Sequence, residues 1–235
     1  MKKKGFEIMK FSIGKFFLAT VVAICGAALG ADEIFECKFV PGGWNKNDFI
    51  QVKSSRWPNI NGFKQEATHI VNICPADASP VEMLNKRAPE TYAAMIYKNP
   101  ISGNSEIKAE MSFDYRMAPS IVIAEKPGAD ANNYPEFRTH YEIVLYDQGI
   151  NVWRHWFKDG KQVWRKVGYL NVKFLPNVKY ELEVDIKFTA RGPVMEVSVG
   201  DHKFGFIDDL LPREYYAGIV ACEGVNRFYD FEIEK

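Results

Sequence analysis

The signatures of cofactor and nucleotide chemistry are missing from this 235-residue chain. It has no glycine-rich phosphate loop, dinucleotide fingerprint or nucleophile elbow. Its cysteines fit no zinc spacing. The expectation is therefore no cofactor and no metal. Excess charge is lacking as well, with 30 basic and 30 acidic residues. Nothing in the chain repeats, and no Gly/Ser linker or low-complexity stretch marks a boundary between domains. Strands do not alternate with helices, which excludes a parallel sheet wrapped by helices.

Five lysines (Lys2, Lys3, Lys4, Lys10 and Lys15) precede an apolar run from Phe16 to Leu29, and Ala28-Leu29-Gly30 supplies small residues at its end. This order reads as a cleavable leader over residues 1–30, with the start at Met1 or Met9. The run is short for a membrane span. Without these thirty residues the chain holds 25 basic and 29 acidic groups, because five lysines and one glutamate leave with them. A net charge of about −4 disfavours nucleic acid, whose binding rests on basic patches. The remaining residues, 31–235, suit one domain exported to the periplasm, the cell envelope or the medium. Cys37, Cys74 and Cys222 remain in it, either as one disulfide and one thiol or as three buried thiols.

What the sequence does have is strands. Segments such as Ile34–Val40, Glu106–Met117, Arg138–Tyr146, Ile150–Phe157 and Lys179–Phe188 are rich in β-branched and aromatic residues. Gly, Pro, Asn and Asp bound them. Asp159-Gly160 and Gly200-Asp201 mark tight hairpins. Ser79-Pro80-Val81-Glu82 has capping-box spacing and predicts one short helix near residues 80–87. The sum is an all-β, two-sheet antiparallel jelly-roll sandwich.

One strand carries an unusual face. Glu136, Arg138, His140 and Glu142 alternate with Phe137, Tyr141, Ile143 and Leu145. The following strand places Asn151, Trp153 and His155 on one parity and Ile150, Val152 and Trp156 on the other. A period of two puts the polar sets on one face and the apolar sets in the core. A merely wet face has no need of imidazoles and tryptophan, so this parity predicts a solvent-accessible polar groove with an aromatic floor. Trp164 extends that floor or packs in the core, and Arg116 reaches the same groove.

The closing third follows a recognisable order: Lys179–Ile186, Val194–Asp201, Phe206-Ile207-Asp208, Tyr216–Val220 and Phe228–Ile233. It resembles the last strands of concanavalin A-like lectin/glucanase jelly rolls, including laminin-G-like modules. The block from Arg138 to Trp156 looks like secreted bacterial members of that superfamily. The resemblance implies two packed antiparallel sheets, one bent into a glycan groove. It extends to lectins, glycosidases and polysaccharide lyases alike. The Glu-x-Asp-x-x-Glu strand of family-16 glycosidases is absent, since Val144 and Leu145 follow Glu142. Arg138-Thr139-His140 and Trp153-Arg154-His155 only echo alginate-lyase-like strands.

The expected partner is an oligo- or polysaccharide. As a binding site, the groove stacks sugar on Trp153 and Trp164 and bonds hydroxyls with Arg116, Arg138 and Asn151. As a lyase, it has His140 or His155 for the base and Tyr146 for the acid. As a hydrolase, Glu142 needs a second carboxylate, from Glu110 or Asp114 on another strand. A structural envelope module, its groove plugged by its own loops, is the third alternative.

Overall fold

The computed structural model describes residues 33–235; the expected leader lies outside them. Two antiparallel sheets carry the chain, of nine and eight strands. The eight-stranded sheet consists of β1 (Phe49–Gln51), β2 (Ala93–Tyr97), β3 (Ile101–Ser102), β4 (Met117–Ala124), β5 (His140–Tyr146), β6 (Gly149–Lys158), β7 (Lys161–Asn171) and β8 (Glu214–Ala221). Its spatial order is β7-β6-β5-β4-β8-β2-β1, with β3 paired to β8. The nine-stranded sheet is built around Ser105–Phe113 and Tyr180–Thr189.

Alternation decides which side of each strand meets the other sheet. Tyr141, Ile143 and Leu145 of β5 and Ile150 and Val152 of β6 are buried with Ile107, Leu182, Val184 and Ile186 from the opposite sheet. Fully burying each aliphatic contributes about 1.5–3 kcal/mol. Trp156, expected in this core, is only half-buried near the end of β6, where the Arg154 guanidinium lies 5.0 Å from its ring.

The hairpin between β6 and β7 turns at Asp159 and Gly160, both at positive φ, as Asp-Gly requires. Gly200, also at positive φ, turns the other predicted hairpin. The helix α1 (Pro80–Leu84) has both halves of its capping box, Ser79 with Glu82, and is shorter than its expected span. Among the described residues no helix is long and apolar enough to cross a membrane. Cys37, Cys74 and Cys222 are free thiols.

A second apolar cluster covers part of the sheet's outer face. Val52, Tyr92 and Phe137 pack there on Ala94, Ala118, Val122, Ala124 and Val220. The chain leaving β1 makes this cover. The Lys53 N–H donates to the Pro135 carbonyl at 2.8 Å, and the Phe137 N–H donates to the Lys53 carbonyl at 3.0 Å. The Lys53 ammonium reaches Asp130 at 2.9 Å. Because β1 and β5 are separated by β2, β8 and β4 in the sheet, this pairing closes a strap over those strands. Gly218 of β8 lies beneath, where a Cβ would collide with the backbone of Met95 and Ile96. Only glycine lets β2 and β8 approach so closely.

Candidate functional site

Cross-strand register assembles the site in rows. Ala124, His140, His155 and Trp164 stand side by side on β4, β5, β6 and β7. The next row is Val122, Glu142, Trp153 and Lys166, and the one after it is Ser120, Val144, Asn151 and Tyr169. A β-bulge between Val152 and Trp153 opposite β7 shifts the register there. That shift brings odd-numbered Tyr169 onto the face of even-numbered Trp164 and Lys166. Simple alternation along β7 points Tyr169 the other way.

A cavity of about 220 Å³ opens on this face, lined by Glu142, Asn151, Trp153, His155 and Trp164 from the rows and by Arg56 and Glu223 from outside them. Trp153 is half-buried, and Trp164 is 55% exposed on the edge strand, so it stands at the rim and outside the core.

Glu142 is the electrostatic centre. Its carboxylate lies 3.4 Å from His140 Nε2, 3.3 Å from His155 Nε2 and 3.4 Å from the Arg56 guanidinium. All three of Glu142, His140 and His155 are nine-tenths or more buried, against the expected solvent-accessible groove. The physical reason is cover that the sequence pattern of one strand does not contain: Arg56 of the strap on Glu142, Phe137 on His140, and the rings of His140 and Trp164 on either side of His155. Burial alone would raise the Glu142 carboxyl; Arg56 above all, and the two imidazoles, hold it well below the usual carboxylate range. Burial lowers the His140 imidazole, and Glu142 pulls it partly back.

The local chain explains how Arg56 arrives. The Ser54 hydroxyl accepts from the Arg56 N–H at 3.1 Å, a serine turn that curls the strap. The guanidinium then lies 4.5 Å from the Trp57 ring, and Trp57 packs edge-on against Tyr92 at 5.3 Å. The sequence offers only Arg-Trp after two serines as a sign of this.

Glu223 enters from the turn after β8. Its φ of 58° is left-handed, uncommon for a residue with a Cβ. Two buried asparagines hold the turn: Asn226 donates to the Cys222 and Gly224 carbonyls, and Asn72 to the Gly224 carbonyl. Burial, Glu142 nearby adding to it, pushes the Glu223 carboxyl up against the pull of Arg56. Among the described residues no cation lies within ion-pair distance of it, Arg56 being paired with Glu142. The pocket therefore holds two carboxyls driven in opposite directions.

Other expected site residues are placed elsewhere. Residues 137–139 are not strand, so the alternation breaks before His140. Phe137 consequently sits in the apolar cluster on the outer face, stacked 4.8 Å from His140, and not between the two sheets. Arg138 pairs with Glu136 at 3.0 Å and donates to the Ala129 carbonyl, away from the cavity. Arg116 pairs with Asp147 at 2.9 Å. Tyr146 lies beyond a register shift at the end of β5 and does not line the cavity. Glu110 belongs to the opposite sheet and Asp114 follows the same strand, where they pair with Lys179 and Arg227. Neither partners Glu142.

Among the described residues, His140, Glu142 and His155 form a metal-capable group whose donor atoms lie within 4.8 Å of one another. The geometry opposes that use. The two imidazoles are stacked 4.5 Å apart with planes 5° from parallel. An ion in the plane of one ring, where its lone pair points, is out of the plane of the other. The Arg56 cation also occupies one carboxylate oxygen.

No family model matches the chain, and no curated protein matches it by sequence. Solved structures do match by shape. The carbohydrate-binding module CBM66 from Bacillus subtilis superposes with a TM-score of 0.53 at 9% identity, over 80% of this chain and 96% of that one. The Lotus tetragonolobus seed lectin gives 0.51 at 11%, over 86% and 98%. A GlcNAcα1-4Gal-releasing endo-β-galactosidase from Clostridium perfringens gives 0.56 at 8%, over 88% of this chain and 63% of that one. The fold is the concanavalin A-like lectin/glucanase jelly roll.

Proposed function

We propose that the protein binds a glycan through the cavity over β5, β6 and β7. One observation carries this reading: Trp153, Trp164 and Tyr169 flank a cavity whose remaining lining includes Arg56, Asn151, Glu142 and Glu223. Aromatic faces stack on sugar rings, while charged and amide groups bond hydroxyls. The fold supports the reading, because it is shared with a carbohydrate-binding module, a lectin and a galactosidase. The proposed setting is the cell envelope or the medium, from the leader-like residues 1–30. Trp153→Ala is expected to weaken binding about tenfold by loss of stacking, read by titration calorimetry against a polysaccharide panel. An unchanged affinity would remove Trp153 from the site.

A second reading, hydrolysis, has its own observation in the opposed carboxyls. Glu223, whose carboxyl burial biases towards the protonated form, gives its proton to the glycosidic oxygen as the bond from the sugar carbon breaks. Anionic Glu142 stabilises the positive charge developing on that carbon. Water then adds its hydroxyl there, and its released proton restores Glu223. Under this reading Glu223→Gln lowers turnover about 10²–10⁴-fold with little change in binding, measured as reducing ends released. Wild-type protein that binds yet releases nothing on long incubation leaves binding alone.

A further inference from the structure

We propose that the cavity takes the end of a saccharide chain and not an internal stretch. The inference rests on the sugar-site reading above and concerns which part of the glycan enters.

The outer face of the sheet is open on one side and closed on the other. On β7, the edge strand, Trp164 is 55% and Tyr169 57% exposed. Moving inward, the cavity lies over β6 and β5. Beyond β5 the cavity reaches only Met117 and Ala118, at the start of β4. Ala124 and Val122 of β4 and Val220 of β8 are 1% exposed or less beneath Phe137 and the strap. The Lys53–Pro135–Phe137 hydrogen bonds and the Lys53–Asp130 ion pair fasten that closure.

At the boundary stands Arg56, bonded to Glu142. Met117, Ala118, Cys222 and Glu223 close the cavity towards the turn after β8. A chain lying across the strands therefore passes over Tyr169 and Trp164, enters beside Trp153 and stops at Arg56. It has no exit on the far side. Size points the same way. The cavity of about 220 Å³ falls below the roughly 300–1,000 Å³ of sites for drug-sized ligands. It holds about one sugar ring, with further units outside on the edge-strand aromatics.

The test compares long linear β-glucan, fructan and galactan with the same polymers cut to shorter chains, at equal mass, by titration calorimetry. For the polymer that binds, halving the chain length is expected to double the moles of protein bound per gram, because ends are the sites. Capacity per gram unchanged by cutting would overturn the inference and leave the sugar site standing. Failure of every preparation to bind would overturn the sugar site itself. Trp164→Ala supplies a second reading from an exposed position. It is expected to weaken binding of a trisaccharide about tenfold and that of the monosaccharide by clearly less, because Trp164 touches the terminal ring only from the rim. Equal losses for both would place Trp164 at the terminal ring and overturn the direction of exit.

Discussion

Glu142→Gln is expected to destabilise the protein by about 3 kcal/mol at pH 7, at the lower end for breaking a buried ion pair. The change keeps the shape of the side chain and removes its charge. Arg56 then remains 23% exposed at its side chain and, among the described residues, without its ion-pair partner. The penalty has a pH signature. The folded carboxyl lies well below its usual range, so its contribution is present above about pH 4.3, the unfolded value. It fades as pH falls through the folded value. The gap between wild type and variant should thus be constant from pH 8 to pH 5 and narrow in stronger acid. His140 adds a separate slope. Its folded value is lowered by burial, so wild-type stability declines as pH falls below about 6.5. Denaturant unfolding at pH 8, 6 and 4 measures both. Equal stability of the two proteins at pH 7 would falsify the idea that Glu142 anchors this cluster.

Phe137→Ala is expected to cost about 3–5 kcal/mol, the range for emptying a buried aromatic. The ring is fully buried, stacks on His140 and supports the strap over β4 and β8. Its loss therefore acts on the site as well as on stability. His140 loses one of its two stacking neighbours, the other being His155, and the wall beyond β5 loosens. The denaturant midpoint should fall with an unchanged m-value. Glycan affinity should fall too, at temperatures where the variant remains folded. A variant as stable as wild type would mean that the outer cluster contributes nothing and that the strap is held by its hydrogen bonds alone.

Local chemistry made the architecture legible in the sequence. The alternation of Tyr141, Ile143 and Leu145 against His140, Glu142 and Val144 fixed the faces of β5, because a strand has only two sides. Asp159-Gly160 fixed a hairpin, since it supplies positive φ at low cost. Ser79 with Glu82 marked the start of the helix for the same kind of local reason. Glu142, Asn151, Trp153, His155 and Trp164 could be placed on one surface because their spacing along two or three adjacent strands is a local property.

Tertiary structure decided what that surface became. Arg56 meets Glu142 across 86 residues of chain, and no pattern within a strand encodes a contact at that separation. Glu223 turns into the cavity because Asn72 and Asn226 hold its turn from another sheet. A bulge re-aimed Tyr169, and the irregular residues 137–139 carried Phe137 to the outer face while turning Arg138 away. Phe137 covered His140, and His155 lies stacked between His140 and Trp164 of the neighbouring strands. Alternation determined which side chains share a face; how much of that face water reaches depended on segments that fold across it from elsewhere in the chain.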